Sequence, residues 1–583
     1  MNKTLCLISS SLLTLCLGGA SPTWSRDGAA PGIVADPLAA AMGRELERAK
    51  AGLAKSDPAP YFISYSVYDQ DEINIVGSLG SLLTSRRIHQ RPGDVMMRVG
   101  DPTLDNTHKQ NLPSAISSGF LPIDDNPDAT ARFLWELTNR EYRRAAPAFL
   151  NVKAETAVQA EEEDKSPDFS QEQPQVHLDE AVPSLALDQK AWEDKVRRYS
   201  AAFRKYPEVY SSIVIFEFDR VRSFLASSDG ANIVEPSSMV RLVIEASTRA
   251  DDGMDLVRVE SFQSPSPGGL PGETEILRRA DKMAADLSAL RKAPVQEAFN
   301  GPSLLSGRAA AVFFHEVLGH RLEGHRQKNE NEGQTFTKKI GQPILPKFLS
   351  IVDDPTLTDL NGTKLAGSYR YDDEGVPASR VEVVRDGVLE SFLMSRMPVK
   401  GFAKSNGHGR RQQGLMPTGR QGNFIVTSTN TVKDSELRAK LIDEIKKQGK
   451  PYGLYFEDVQ GGFTLTARAL PQAFQILPVV VWRVYPDGRP DELVRGVDVV
   501  GTPLAALDSI IVTGDKTEVF NGVCGAESGS VPVSAAAPAI LFSDMETQKR
   551  ATSHNRPPIL APPGFETGEG AAKTAGAAEV KRD

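Results

Sequence analysis

Apolar residues recur at helical and at strand spacing through the first half of the chain. Repeats three to four residues apart predict amphipathic helices at 35–55, 129–149, 188–205 and 274–292. Alternating apolar and polar positions predict strands at 61–68, 73–76, 81–84, 211–218, 240–246 and 256–262. Helices and strands therefore mix throughout this half, and we predict an α/β N-terminal domain at 26–294.

The pattern changes near residue 295. Residues 304–325 read as one apolar helix that carries several histidines, and the segments beyond it read as short strands joined by tight turns. Asp386-Gly387 and the Pro-Asp-Gly-Arg segment at 486–489 each separate two apolar runs, which is typical of β-hairpins. We predict a β-rich C-terminal domain at 295–561, and an α+β fold class for the whole chain.

Two segments lack the large apolar residues that a core requires. Residues 155–184 are rich in Glu, Asp, Pro, Ser and Gln, and we predict an exposed insertion there. Residues 562–583 consist mainly of Gly, Ala, Glu and Lys, and we predict a disordered tail.

The first 25 residues have the pattern of a secretory signal peptide. Lys3 precedes a mostly apolar stretch, which small residues follow. That stretch, about 13 residues long, is too short to cross a bilayer as a helix. Leu15 stands where lipoprotein processing at Cys16 needs a small residue. We therefore expect cleavage of residues 1–25 and a periplasmic or secreted mature protein.

Composition narrows the class of protein. The 583 residues are 40% apolar and 25% charged, and the formal net charge is −9. This apolar content supports a large core and excludes a disordered chain. The acidic balance argues against a dedicated nucleic-acid binder. No uninterrupted apolar run reaches the 18 or so residues of a membrane span, so we expect none.

The cysteine count becomes informative once the signal peptide is removed. Cys6 and Cys16 leave with it, and Cys524 remains alone. A lone thiol in an oxidising compartment cannot form an internal disulfide. Cys524 is therefore either buried and inert or held by a partner such as a metal ion.

The candidate chemistry concentrates at residues 315–325, which read His-Glu-Val-Leu-Gly-His-Arg-Leu-Glu-Gly-His. A His-Glu pair followed by another His is typical of helix-borne zinc sites with a glutamate base. Here the two histidines are five residues apart, which separates them by about 140° around an α-helix, against about 40° for a spacing of four. A shared metal ion requires the helix to widen or end between His315 and His320, and Gly319 makes such a distortion less costly.

The alternative is a core helix with incidental histidines, because the surrounding residues are apolar. Burying imidazole and carboxylate groups without partners is costly, which favours a metal site. A catalytic zinc ion usually has three protein ligands. The residues alone leave the third ligand open among Glu323, His325 and Cys524.

Residues 315–324 (HEVLGHRLEG) resemble the His-Glu-x-x-x-His segment of the TldD/PmbA family of metallopeptidases, in its TldD-like catalytic branch. Three further stretches are similar to segments of that family in the same order: 372–378 (DDEGVPA), 406–411 (NGHGRR) and 524–533 (CGAESGSVPV).

The resemblance implies that His315, His320 and Cys524 bind Zn²⁺ and that Glu316 is the catalytic glutamate. It also implies an α/β N-terminal domain, a β-rich C-terminal domain, and a peptide or unfolded protein as substrate. The expected assembly is a homodimer or a heterodimer with a family paralogue.

The chain departs from the family pattern in two places. His325 stands where the family often has an acidic residue, so it can contact a ligand, bind the metal itself or face solvent. The export signal differs from the cytoplasmic members, whose substrates are therefore not carried over.

The implied reaction is peptide hydrolysis by a metal-activated water with Glu316 as general base. A thiolate ligand should make the zinc a weaker Lewis acid than an all-histidine site. The developing oxyanion needs a donor, for which His408, Arg410 and Arg411 are candidates. Two other functions stay open: a non-catalytic zinc-binding maturation or binding module, and a metallo-amidase that acts on a cell-wall amide.

Overall fold

The structure, a computed structural model, describes residues 36–110, 112–157, 163–179, 187–551 and 556–565. The predicted signal peptide lies outside the described residues, and so does the predicted tail from residue 566 onward. Within the described part of the chain, no helix combines the length and the apolar character that crossing a bilayer demands.

Nine strands form the sheet of the N-terminal region. They are β1 (Pro60–Ser78), β2 (Ser81–Gln90), β3 (Pro92–Asp101), β4 (Leu104–Asp105), β5 (Ile116–Phe120), β6 (Val176–Leu178), β7 (Ser211–Ser227), β8 (Asn232–Arg249) and β9 (Asp255–Ser264). Their order is β4-β3-β1-β7-β8-β6, with β2 beside β1, β5 beside β3 and β9 beside β8. Only β6 and β8 run parallel, so the sheet is of the antiparallel kind found in α+β folds.

The four predicted helices of this region are confirmed, and they cover one face of the sheet. Helices α1 and α2 share an apolar cluster with β1 and β3 that includes Leu137 and Val67. Helices α3 and α4 share another with β7 and β8 that includes Leu287 and Leu242. The helices are α1 (Pro37–Leu53), α2 (Pro127–Thr156), α3 (Gln189–Ala201) and α4 (Glu273–Lys292).

The opposite face of this sheet is turned toward the C-terminal region. Arg411 donates hydrogen bonds to Asp94 on β3, at 2.6 Å, and to the Tyr68 hydroxyl on β1, at 3.0 Å. On β8, residues of the same face line the cavity described below. The N-terminal sheet therefore contributes a wall to the candidate site.

The later strands are β10 (Phe299–Leu305), β11 (Leu349–Asp353), β12 (Asp359–Leu360), β13 (Thr363–Lys364), β14 (Val381–Arg385), β15 (Val388–Leu389), β16 (Gly409–Arg410), β17 (Thr418–Gly419), β18 (Asn423–Ser428), β19 (Gly453–Thr464), β20 (Phe474–Val484), β21 (Glu492–Val494), β22 (Val497–Gly501), β23 (Ile510–Ala526) and β24 (Gly529–Lys549). Eleven of them form one sheet in the order β10-β19-β20-β22-β24-β18-β11-β14-β15, with β21 beside β20 and β23 beside β24. The chain thus passes from the first sheet to the second between the end of β9 at Ser264 and the start of β10 at Phe299, a stretch that includes residue 295. The division into two domains there stays a prediction.

Four helices accompany this second sheet: α5 (Gly307–Val317), α6 (Gly324–Lys328), α7 (Asp434–Lys447) and α8 (Pro503–Asp508). Helix α5 lies in the core. Its Phe313 meets Phe474 on β20 and Phe542 on β24 edge to face, with ring centroids 5.5 and 5.1 Å apart. Such pairs add to the stabilisation from apolar burial, so α5 has a rigid support.

The expected single helix over 304–325 is wrong at both ends. Its first residues belong to β10, and α5 begins after Ser306, whose side chain accepts a hydrogen bond from the Ala309 N–H at 3.1 Å. Serine is a preferred N-cap because it satisfies one of the free N–H groups of the first turn. The far end of α5, at Val317, falls inside the histidine segment.

Both predicted hairpins are confirmed. Strands β14 and β15 pair across Asp386 and Gly387, whose φ angles of 47° and 81° are the positive values that a type I′ turn requires. Strands β20 and β21 pair across the second turn, where Gly488 has a φ of 86°.

The prediction of an exposed insertion at 155–184 is wrong for part of that segment. Asp168, Phe169 and Ser170 are buried. Phe169 lies between the guanidinium groups of Arg98 and Arg396, each 4.0 Å from its ring centroid. A single aromatic residue with two cationic partners thus anchors a segment of otherwise polar composition. Residues 158–162 and 180–186 lie outside the described residues.

Candidate metal centre

The histidine segment changes conformation between its two histidines, as the spacing requires. His315 and Glu316 occupy the last turn of α5, which ends at Val317, and His320 lies in a 3₁₀ turn that spans Gly319–Leu322. Of the two alternatives that a shared metal ion left open, a widened turn and the end of the helix, the structure has the second. Gly319 also allows a close approach, because a Cβ at this position would lie 2.0 Å from the Gln421 side chain.

The third group comes from the β23–β24 hairpin. Cys524 on β23 is opposite Val531 on β24. Its sulfur lies 3.3 Å from Nε2 of His315 and 3.3 Å from Nε2 of His320. All three side chains are buried, with exposed fractions of 6–8%. Of the three candidates for a third ligand, Cys524 is the one that the structure places with the histidines.

These distances fit a zinc ion. Zn–N bonds of about 2.0 Å and Zn–S bonds of about 2.3 Å place tetrahedral N and S ligands about 3.5 Å apart. Burial raises the pKa of the Cys524 thiol, but His320 and His315 lower it by more, so the net pKa is well below its ordinary value. The donor set is therefore two imidazoles and a sulfur that readily ionises, which suits a metal with a preference for nitrogen and sulfur.

Glu316 is placed beside this group without belonging to it. Its Oε2 lies 3.9 Å from Nε2 of His320 and has no hydrogen-bond partner among the described residues. Burial raises the pKa of Glu316, although His315 and His320 act in the opposite direction. A buried carboxylate oxygen with no protein partner is costly. It is explained if the atom faces a metal ion or a reacting molecule.

The two other candidates for the third ligand, Glu323 and His325, contact other side chains. Glu323 Oε1 lies 3.2 Å from Nδ1 of His320, on the side of the ring away from Cys524. His325 is hydrogen-bonded to Glu527, the carboxylate that follows Cys524 by three residues. Both side chains surround the group of three without joining it.

Arg420 was not predicted. Its side chain is fully buried and donates hydrogen bonds to the Cys524 carbonyl at 2.8 Å and to the Cys524 sulfur at 3.2 Å. An arginine in a loop between β17 and β18 gives no sequence signal of this role. Its partner is 104 residues away along the chain.

The predicted oxyanion donors lie outside the cavity beside the metal centre. His408 is fully buried and contacts Asp353. Arg410 donates to the carbonyl groups of Gln421 and Pro532 at 2.9 and 2.7 Å, and Arg411 joins the two regions as described above. The structure therefore assigns scaffold contacts to these three residues.

A cavity of about 710 Å³ opens beside the three candidate ligands. Its walls come from β8 and β9 of the N-terminal sheet, from the end of β19, and from the β23–β24 hairpin. Three of its apolar side chains are exposed by 36–50%: Val259, Phe463 and Val523. The cavity is large enough for a segment of peptide.

The fold and the site together define an α+β protein with a buried His₂Cys group and an adjacent glutamate. Residues 300–549 match the family model described as the PmbA/TldA metallopeptidase C-terminal domain. This C-terminal part of the chain thus matches a domain of the TldD/PmbA family.

Relatives with assigned names agree with this match. The "Metalloprotease TldD homolog" of Haemophilus influenzae is 28% identical over 249 residues, 42% of this chain and 47% of the relative. A "Metalloprotease" of Methanothermobacter thermautotrophicus is 28% identical over 57% of this chain and 68% of the relative. The "Zinc metalloprotease TldD homolog" of Saccharolobus solfataricus is 25% identical over 41% and 49%. The chain thus spans about half the length of most curated relatives that it matches.

Solved structures share the fold over most of the chain. TldE from Thermococcus kodakarensis superimposes with a TM-score of 0.56 at 14% identity, and covers 87% of this chain and 100% of its own. A Thermotoga maritima protein described as a candidate modulator of a DNA gyrase gives a TM-score of 0.58 at 16% identity, with 87% and 99% covered. At these identities the likeness concerns the fold alone.

Proposed function

We propose that this protein is a zinc-dependent peptidase that hydrolyses peptides or unfolded protein segments. The observation that carries the proposal is the meeting of His315, His320 and Cys524 beside Glu316. Oε2 of this glutamate has no hydrogen-bond partner in the part of the chain that the structure describes. The names of the relatives, metalloprotease and zinc metalloprotease, support it.

The two histidines and the cysteine would hold the ion through Nε2, Nε2 and Sγ. Three protein ligands leave a fourth position for water or substrate, which is typical of catalytic rather than structural zinc sites. When bound, zinc supplies a Lewis acid that polarises a carbonyl group and activates water.

Glu316 acts as the general base. Its Oε2 accepts a proton from the attacking water and later delivers it to the leaving amine. Burial raises the pKa of this carboxyl group, which favours a group that must both take up and release a proton near neutral pH. Gly462 leaves room for it, because a Cβ there would lie 2.8 Å from Cγ of Glu316.

The substrate lies extended beside the end of β19. Residues Gln460–Thr464 line the cavity. On one edge β19 pairs with β20, whereas in the described chain its other edge pairs with β10 only at Leu454–Phe456. An extended peptide can add to such a free edge through main-chain hydrogen bonds. The apolar side chains of Val259, Phe463 and Val523 would then contact its side chains.

We further propose that the protein works outside the cytoplasm and as a dimer. The signal pattern of residues 1–25 supports a periplasmic or secreted location, which sequencing the N-terminus of the mature protein would check. The shared fold with TldE supports pairing with a second copy or a family paralogue, which light scattering with and without the paralogue would check.

The test uses the zinc-loaded protein with a mixed peptide library, with products identified by mass spectrometry. At equal zinc occupancy, Glu316→Gln should cleave about 10²–10⁴-fold more slowly than the wild type, because an amide cannot take the proton. Glu141→Gln is the matched control, since Glu141 is a buried carboxyl group on α2 that bonds Ser117 on β5. It should leave cleavage unchanged.

Two results would contradict the proposal. If the zinc-loaded wild type cleaves no peptide, a non-catalytic zinc-binding module is the better description, and a parallel assay on peptidoglycan would decide whether a cell-wall amide is the substrate. If Glu316→Gln cleaves at the wild-type rate, the base is another group.

A further inference from the structure

Arg420 is a fully buried arginine behind the candidate metal centre. Its Nη1 donates hydrogen bonds to the Ser528 hydroxyl and to the Gly529 carbonyl, both at 2.9 Å. These bonds hold the guanidinium group against the turn of the β23–β24 hairpin. Arginine is almost never fully buried without charged partners. The partners of Arg420 are Cys524, a candidate ligand, and Glu323, which lies beside the candidate ligand His320.

The guanidinium group reaches one candidate ligand directly. Its Nη2 donates to both the carbonyl oxygen and the sulfur of Cys524, at 2.8 and 3.2 Å. The bond to the carbonyl fixes the backbone of the residue, and the bond to the sulfur fixes its side chain. A charged donor makes a stronger hydrogen bond to a thiolate than a neutral one does.

The same group reaches a second candidate ligand through a carboxylate. Nε of Arg420 lies 3.3 Å from Oε1 of Glu323, and that oxygen lies 3.2 Å from Nδ1 of His320. Both are charge contacts and not aligned hydrogen bonds. A carboxylate that faces the outer nitrogen of a metal-binding histidine favours one orientation of the ring. Glu323 is also fully buried and is held from the other side by Arg326, whose Nε donates to Oε2 at 2.9 Å.

We propose that Arg420 is a positioning residue of the metal centre, which aligns Cys524 directly and His320 through Glu323. It links the 3₁₀ turn that carries the histidine to the hairpin that carries the cysteine. The proposal rests on the proposed function only in requiring that the centre bind metal.

A consequence concerns the strength of the sulfur as a ligand. The hydrogen bond from Arg420 Nη2 withdraws electron density from the Cys524 thiolate. The sulfur therefore donates less electron density to a bound metal ion. The ion then stays a stronger Lewis acid than a free thiolate ligand would allow. Arg420 therefore offsets the weakening expected from the sequence for a cysteine ligand.

The negative charges near the candidate metal centre also support a positioning role for Arg420. The thiolate of Cys524 and the carboxylates of Glu316 and Glu323 share one buried region, and removing a buried partner leaves an uncompensated charge. Arg420 contacts two of these three groups. If it only fastened the hairpin, its bonds to Ser528 and Gly529 would suffice, and the ligand geometry would not depend on it.

The experiment uses Co²⁺ as a spectroscopic probe and Zn²⁺ in competition with a chelator, on the full-length wild type and on Arg420→Met and Arg420→Lys. We expect Arg420→Met to bind either ion about 10–100-fold more weakly. Its sulfur-to-cobalt charge-transfer band should move to longer wavelength, because an unbonded thiolate gives up an electron more readily. Arg420→Lys keeps the charge and should give intermediate values for both.

The matched control is Arg495→Met. Arg495 is a buried arginine that bonds the Ala293 carbonyl at 2.9 Å and the Asp252 carboxylate at 3.0 Å, away from the candidate ligands. This variant should lose stability without moving the cobalt band or the metal affinity.

If Arg420→Met does not fold, Glu323→Gln provides a second variant of nearly the same shape. It should weaken metal binding several-fold, because an amide orients the His320 ring less firmly than a carboxylate does. Wild-type affinity in folded Arg420→Met or in Glu323→Gln, with an unmoved cobalt band, would overturn the proposal while the metal centre stands. A wild type that binds neither ion would overturn the proposed function as well.

Discussion

Two carboxyl groups, those of Glu316 and Glu323, lie within 4 Å of the His320 imidazole. Their surroundings shift their pKa values in opposite directions. Glu316 has no partner for Oε2 among the described residues, and burial raises its pKa. Burial also raises the pKa of Glu323, but His320 and Arg326 lower it to about 2. A pair of titratable groups with opposed environments indicates a division of roles. This division agrees with the proposed function, in which Glu316 moves a proton and Glu323 remains an anion.

Glu141 gives a pH-dependent prediction at the same scale. Burial raises the pKa of this group to about 7, although Ser117, Arg144 and Arg140 act against the shift. A carboxyl group whose pKa is higher in the folded than in the unfolded state stabilises the fold fully below about pH 4.5 and loses that contribution as the pH rises to about 7. We therefore expect Glu141→Gln, which imitates the protonated form, to be relatively more stable at neutral pH.

The measurement is urea unfolding of both proteins at pH 5 and pH 7.5. The difference in unfolding free energy between variant and wild type should grow in favour of the variant at the higher pH. A difference that stays constant would mean that Arg144, which donates to Glu141 Oε2 at 2.6 Å, keeps the group ionised throughout.

At the scale of elements, the site depends on a close approach between α5 and β19. A Cβ at Gly462 on the strand would lie 2.8 Å from Cγ of Glu316 on the helix. It would also lie 2.9 Å from the Gln475 carbonyl on β20. The register of β19 against β20 shifts on both sides of Val459. These irregularities redirect the strand past the glutamate, a frequent use of β-bulges near active sites.

Gly462→Ala should therefore displace either the strand or the glutamate. If the peptidase proposal holds, we expect turnover of peptides to fall by about 10²-fold, since a shift of about 1 Å at a reacting group has that effect. Zinc content should stay at the wild-type value, because no ligand is touched. Gly43→Ala is the control: it adds the same methyl group on α1, where no atom lies within 4 Å. Wild-type turnover in Gly462→Ala would show that the contact is not needed.

Sequence periodicity predicted many of the helices and hairpins of this protein. It predicted few of the side-chain contacts that surround the candidate metal centre. The helices of the N-terminal region and the hairpin at Asp386-Gly387 follow from local patterns. The end of α5 between the histidines follows from helical geometry. The start of α5 was missed because the prediction did not separate the apolar pair at 304–305 from the apolar run that begins at 309, although Ser306 between them is a local N-cap signal.

The contacts of Arg420 and His325 could not be predicted for a different reason. Their partners, Cys524 and Glu527, lie 104 and 202 residues away along the chain. Pairing over such distances is set by the docking of the β23–β24 hairpin on the rest of the sheet, and no local pattern encodes it. The assignment of Cys524 itself came from resemblance and not from spacing.

For the whole molecule, the segment 163–179 links the two sheets. Asp168 accepts hydrogen bonds from the Asp105 N–H on the N-terminal side and from Lys328 Nζ, just beyond the histidine segment, at 3.0 and 3.2 Å. The Ser170 carbonyl accepts from Arg396 at 2.9 Å. The segment is thus part of the packed structure and supports the turn that follows the candidate ligands.

Phe169→Ala should destabilise the protein by about 3–5 kcal/mol, the usual cost of deleting a buried phenylalanine. Gln173→Ala, an exposed position in the same segment, is the control and should change stability by less than about 0.5 kcal/mol. Urea unfolding at constant pH measures both. Equal stability of the two variants would mean that the segment adds little to the folded state.

The distances between the candidate ligands along the chain have a consequence for biogenesis. His315 and Cys524 are separated by 209 residues, and the cysteine belongs to a hairpin near the end of the described chain. A chain synthesised only as far as the histidines lacks Cys524, so it has no complete site to load. If the peptidase proposal holds, a newly synthesised chain could cut peptides only after Cys524 has been made and its hairpin has docked against the two histidines.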